Sequence, residues 1–281
     1  MSIVDTHAHI YSEDVGHYPL KDDPYLPPPG KGTLAHLKQE MRENGVDRVV
    51  MVHTSTAYLW DNRLVADMVA MNRDFATGVC TLDPNDPESP QVLERYSRDR
   101  GIRGLRLYVQ PDGQGGSTFE LPGHLMLWEK AAELGVVICA LINPPYLESL
   151  RRLMMQFPTV NVVLDHCANL TAADAPDSDG LREVLAMAEL PKLYAKVSFL
   201  VTGSKEPYPF KDTHVLGHKV IEAFGAERCM WGSDFPCELW LKDAKATYAQ
   251  HLRLFTHELG LDERAKRAVL GETAMRLWFP S

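Results

Sequence analysis

The sequence has few features that would support a disulfide framework or a thiolate metal site. Its five cysteines, Cys80, Cys139, Cys167, Cys229 and Cys237, are odd in number and nowhere spaced C-x-x-C. They read as the reduced thiols of a cytoplasmic protein. No apolar run is long enough to span a bilayer, and Met1-Ser2-Ile3-Val4-Asp5 lacks the basic and then apolar pattern of an export signal. Positive charge is also scarce. The 29 Lys and Arg against 38 Asp and Glu give a formal net charge of -9, which argues against nucleic acid or an anionic membrane as partner. Repeats, low-complexity tracts and linkers are missing too. At 281 residues, 45% hydrophobic and 24% charged, the chain fits one globular domain over residues 1–281. A single α/β barrel typically takes about 250 residues.

Short β-branched apolar runs alternate with stretches of helical period, the pattern of repeated βα units. Eight strands are expected: Ile3 to His9, Asp47 to His53, Ala76 to Asp83, Ile102 to Val109, Val136 to Ile142, Val160 to His166, Leu193 to Ser198 and Cys229 to Asp234. Helices are expected over Thr33 to Asn44, Asp61 to Arg73, Gln91 to Arg100, Leu125 to Leu134, Leu147 to Phe157 and Leu181 to Ala188, with Gly45 and Gly135 as C-caps. An open doubly wound sheet would carry a glycine-rich phosphate turn after its first strand, whereas this chain reads His7-Ala8-His9-Ile10. The count favours a distorted (β/α)8 TIM barrel. Ser12 to Gly32, Gln110 to Gly123 and Asn169 to Gly180 break the period after strand ends, where barrel loops shape a substrate pocket.

Alternate side chains of a strand share a face, so Asp5, His7 and His9 should point one way, with both imidazoles at the strand's C-terminal end. A second apolar strand ends on Asp165-His166, although a lone strand-end histidine is as often a hydrogen-bonded structural residue. In Trp231-Gly232-Ser233-Asp234-Phe235-Pro236, Gly232 and Asp234 should share a face; an Asp there could instead cap a helix, but no clear helix starts at once. Arg106 and Tyr108 share a face opposite Arg103. His53, Asn143, Tyr146, Lys196 and Ser198 lie at or near strand ends, as pocket or packing residues, and Trp60, Trp231 and Trp240 could serve as pocket wall or core.

The His7-x-His9 opening, Asp165-His166, Lys196-Val197-Ser198 and Trp231 to Pro236, in that order, resemble the amidohydrolase superfamily over nearly the whole chain. Within it they are most similar to the amidohydrolase-2 branch of 2-pyrone-4,6-dicarboxylate, sulfomuconolactone and sugar-lactone lactonases. Gly271 to Leu277 is similar to the family's ending, with Thr273 where an Asn is usual. The resemblance implies Asp234 as general base towards water, with His7, His9 and His166 polarising an ester or lactone carbonyl or, with Asp234, holding a divalent ion, zinc being the best match. Metal-dependent relatives usually carry a histidine at the end of the fifth strand, where this chain reads Leu141-Ile142-Asn143-Pro144. Some lactonases of the branch work without metal, so both a metal-dependent and a metal-free site are carried forward. Arg106 matches an arginine that holds a substrate carboxylate, the other reading being a structural ion pair. A second arginine of the dicarboxylate lactonase is replaced here by Gln110-Pro111-Asp112, which argues against the same substrate.

The expected activity is that of a lactonase-like hydrolase of the ester-bond class (EC 3.1.1) on a carboxylated or sugar-like lactone, with Arg106, Tyr108, Asn143, Tyr146 and Lys196 as substrate contacts. A homo-oligomer is compatible with the sequence. Two rivals are a metal-dependent decarboxylase of an aromatic or unsaturated acid and a non-catalytic barrel that binds a small molecule.

Overall fold

The computed structural model describes residues 2–109, 117–240 and 246–280. Eight parallel strands run in chain order around one sheet: β1 (Val4–Ala8), β2 (Arg48–Val52), β3 (Ala76–Cys80), β4 (Ile102–Tyr108), β5 (Val137–Leu141), β6 (Val162–Leu164), β7 (Leu193–Lys196) and β8 (Cys229–Met230). Each pairs with the next in parallel. Helices α1 (Leu34–Asn44), α2 (Arg63–Met71), α3 (Ser89–Arg95), α4 (Pro122–Leu134), α5 (Leu147–Gln156), α6 (Asp179–Ala186) and α7 (Lys211–Phe224) alternate with the strands, giving the (β/α)8 barrel. Thr33 caps α1 by accepting from His36 N, and Gly45 and Gly135 close α1 and α4 at φ 67° each, a left-handed conformation that glycine adopts without steric cost.

Every expected strand forms, but each is shorter than its apolar run. The differences at the C-terminal ends matter most. β6 stops at Leu164, and His166, Cys167, Ala168 and Asn169 follow with φ of 51°, 46°, 58° and 57°, a left-handed turn. β8 stops at Met230, so the expected face-sharing of Gly232 and Asp234 does not apply; Asp234 has φ 56° and is aimed by this backbone bend instead of by strand alternation. Backbone bonds that side-chain pattern cannot reveal take over from the ladder here.

The barrel closes between β1 and the chain beyond β8 through such bonds. Thr6 N donates to the Trp231 carbonyl (3.2 Å), Asp234 N to that of His7 (2.8 Å) and His9 N to that of Phe235 (2.7 Å). At the opposite end, a buried apolar cluster of Val4, Val50, Val52, Val79, Val137, Val163 and Met230 is plugged by Trp278 from the C-terminal helix Thr273–Trp278. Burial of that plug by apolar contact fixes the barrel's lower end. No helix among the described residues is long and apolar enough to cross a membrane.

Candidate active site

The polar end of the barrel gathers the residues marked by the sequence. His7 Nε2 and His9 Nε2 lie 3.2 Å apart, and Asp234 Oδ1 is 3.6 Å from the first and 3.7 Å from the second. The His166 ring centroid is 4.7 Å from that of His7, and His166 Nδ1 is 2.8 Å from Ser198 Oγ. His9 Nδ1 meets the Val52 carbonyl at 2.9 Å. All four side chains are buried.

Behind them lies a buried ionic group. Asp165 takes Lys196 Nζ on one oxygen at 2.7 Å and Arg106 Nε on the other at 2.9 Å, and Lys196 Nζ also stands 3.0 Å from His7 Nδ1. Burial penalises the charge of Asp165, but Lys196 and Arg106 outweigh it and hold the carboxyl down at about 2. Among the described residues, the Asp234 carboxyl has no such close cation. Burial, supplemented by the negative Asp165, pushes it up to about 7, with Arg106 and Lys196 only partly offsetting the rise. Burial also depresses the imidazoles: His166 falls to about 3, and His7 and His9, next to Lys196 and Arg106 respectively, fall well below the ordinary histidine value. The site therefore presents neutral rings beside a carboxyl that exchanges its proton near neutrality.

Asp5 does not face the pocket. It accepts from Ser233 Oγ (2.6 Å), Ser233 N (2.9 Å), Tyr248 OH (3.0 Å) and His7 N (3.0 Å), tying β1 to the segment that carries Asp234.

A cavity of about 250 Å³ opens above this group, lined by His9, His53, Thr54, Ser55, Thr56, Arg106, Tyr108, Leu141, His166, Asn169 and Asp234. A neighbouring space of about 190 Å³ shares Arg106 and Tyr108 and is bounded by Trp60, Leu82 and His124. The structure brings together His7, His9, His166 and Asp234, with Arg106 and Tyr108 on the wall. Arg106 is also the structural ion pair of the alternative reading, since its Nε is spent on Asp165. The other three expected substrate contacts are placed differently: Lys196 is fully buried beneath His7, Tyr146 is half-buried away from the lining, and Asn143 is exposed, reaching it only through Asn169 Nδ2 at 2.9 Å. Sequence reasoning missed the hydroxyl wall, where Ser55 Oγ and Tyr108 OH lie 2.6 Å apart. The Thr54-Ser55-Thr56 run directly after β2 is the signal that could have found it. The departure Gln110-Pro111-Asp112 and the glycines Gly113, Gly115 and Gly116 lie outside the described residues.

For a divalent ion, His7, His9 and Asp234 offer three buried donor atoms within 4.8 Å of one another, a nitrogen and oxygen set of the type zinc accepts. His166 is not part of that group. The donor on Lys196, however, faces His7 and constrains which of that ring's nitrogens has a lone pair to give.

A family model described as amidohydrolase matches residues 4–279. A curated L-fucono-1,5-lactonase of Burkholderia ambifaria is 25% identical over 244 residues, 83% of this chain and 80% of that protein. Among solved structures, one described as a probable 2-pyrone-4,6-dicarboxylic acid hydrolase of Acinetobacter baumannii, with citric acid bound, superposes with a TM-score of 0.79 at 18% identity, covering 99% of both chains. An amidohydrolase of Burkholderia multivorans with bound zinc reaches a TM-score of 0.71 at 20% identity over 99% of both chains.

Proposed function

The chain belongs to the amidohydrolase family, and from that premise we propose that it opens a lactone or related cyclic ester by attack of water. The observation that carries this reading is the Asp234 carboxyl at the cavity wall, held at about 7 and within 3.7 Å of two neutral imidazoles. A carboxyl that titrates near the operating pH is substantially ionised there and is matched to removing a proton from water as the water attacks carbon. The steps use only groups of this chain. Asp234 accepts one proton as the water oxygen bonds to the carbonyl carbon. Ring N–H groups of His7 and His166 hydrogen-bond the carbonyl oxygen as it gains negative charge, with His9, anchored on the Val52 carbonyl, beside His7 at 3.2 Å. The ring C–O bond then breaks, and the departing alkoxide takes the proton back from Asp234, so the product is a hydroxy acid and the base is regenerated.

The wall of Thr54, Ser55, Thr56 and Tyr108 supplies hydroxyls at close spacing, which favours a polyhydroxylated, sugar-like lactone; the similarity to an L-fucono-1,5-lactonase supports the same class. The Arg106 guanidinium, which lines the cavity, would serve a substrate oxygen or carboxylate through its terminal nitrogens, with its Nε paired to Asp165.

The test is a panel of sugar-derived and carboxylated lactones read by acid release, with carbon dioxide release from aromatic acids measured in parallel. Asp234→Asn should lower lactone kcat at least about 1000-fold with an unchanged circular dichroism spectrum. A variant with near-normal turnover removes Asp234 from the role of base. Carbon dioxide release without lactone opening replaces the reading by a decarboxylase.

A further inference from the structure

Lys196 ends β7 with its side chain fully buried, and its contact with His7 is not needed to neutralise Asp165, which already has Arg106 on its other oxygen. At 2.7 Å from a buried carboxylate that stays ionised, Lys196 is an ammonium, with three donors and no acceptor. His7 Nδ1, 3.0 Å away, must therefore accept, which it can do only with its lone pair exposed. An imidazolium, with hydrogens on both nitrogens, does not fit. The ring is neutral and its single proton is on Nε2. His9 is set the opposite way: the Val52 carbonyl at 2.9 Å can only accept, so His9 carries its proton on Nδ1 and presents a bare Nε2. The two Nε2 atoms, 3.2 Å apart, are thus one donor and one acceptor, and the ring hydrogens of His7 and His9 each have a partner.

We propose that Lys196 is a positioning residue that locks His7 as its Nε2–H tautomer, so that the one hydrogen of His7, given to His9 Nε2 in the empty site, passes to the carbonyl oxygen when a lactone enters, and the His7, His9 and Asp234 group is closed to divalent metal ions. A metal ion at that group needs the Nε2 lone pair of His7. To provide it, either His7 becomes an imidazolate or Lys196 withdraws its hydrogen from Nδ1 and turns away, disturbing a fully buried ion pair. The donor set has the spacing for an ion but the wrong proton arrangement. The carbonyl-donor part rests on the lactone reading; the tautomer and the exclusion of metal do not.

The experiment pairs long-range ¹H–¹⁵N correlation spectra of the histidine rings, His7 being assigned by its loss in His7→Gln, with Co²⁺ titration of the chelator-treated protein. In the wild type, Nδ1 of His7 should resonate as a bare acceptor and Nε2 as a protonated nitrogen, and no stoichiometric Co²⁺ band should develop. Lys196→Met should tighten Co²⁺ binding about 10- to 100-fold, the scale on which a residue behind a ligand tunes metal affinity. Its lactone kcat should fall about 100-fold with KM little changed, as for loss of one carbonyl donor. If Lys196→Met does not fold, Lys196→Met combined with Asp165→Asn removes both charges, and the wild-type spectra decide by themselves. A His7 proton on Nδ1, or wild-type Co²⁺ affinity equal to that of the variant, overturns the proposal. The predicted spectra and titration without any lactone turnover would leave it standing and remove the proposed reaction instead.

Discussion

Asp165 and Asp234 show how one residue type is given two roles. Both carboxyls are buried, but Asp165 has two cations in contact and is held at about 2, whereas Asp234 stands beside two imidazoles and rises to about 7. The difference follows from which strand ends place Lys196 and Arg106, not from the acids themselves. It predicts a pH profile. Only ionised Asp234 can take a proton from water, so kcat/KM for a lactone should increase about tenfold per unit below pH 7 and level off above it. Measurement between pH 5 and 9 checks this, and a profile flat through pH 7 would show that another group is the base. At this scale the sequence is eloquent about identity and mute about partners. His7, His9, His166 and Asp234 are recognisable from spacing and family likeness, but the pairing of Arg106 with Asp165, and the burial of Lys196 beneath His7, depend on neighbours up to 189 residues away in the chain.

The elements that aim these side chains are irregular where it counts. Strand periodicity makes all eight strands legible, because consecutive buried β-branched residues have few other structures to enter, and helix stop signals at Gly45 and Gly135 locate two boundaries. It does not reach past the strand ends. The left-handed run His166 to Asn169 and the bend at Asp234 are sustained by tertiary bonds, such as Ser198 Oγ on His166 and His7 O on Asp234 N, that no local pattern announces. Gly232 shows how tightly this region is built. A Cβ there would stand 2.7 Å from His7 Cβ and 3.0 Å from His7 N. Gly232→Ala must therefore push β1 and the segment beyond β8 apart, costing about 1–3 kcal/mol by overpacking. Its kcat should fall at least about tenfold as His7 and Asp234 lose register. Thermal melting and lactone kinetics on the same preparation check both, and a melting loss with unaltered kcat would mean that the site tolerates the displacement.

Across the whole molecule the two ends of the barrel divide the work. One end holds the ionised and proton-exchanging groups in a lined cavity, and the other is filled by valines beneath Trp278. Substitution at the second end should act on stability alone. Trp278→Ala should cost about 3–5 kcal/mol, as for other buried aromatic truncations. The protein that remains folded should turn over substrate at the wild-type rate, which chemical denaturation and active-site-normalised kinetics would establish; a reduced rate per folded molecule would contradict the division. The join between the first and last strands carries a different consequence. Because His7 and His9 stand on one side of it and Asp234 on the other, held by three backbone bonds and the side chains of Asp5 and Thr6 in place of a full ladder, this seam is where the barrel should breathe without melting. The amides of Thr6, His9 and Asp234 should take up deuterium ahead of those of β4 and β5, and on warming the rate should fade in step with that exchange, below the temperature at which the far-ultraviolet signal is lost. An enzyme made this way has its thermal fuse in its own active site.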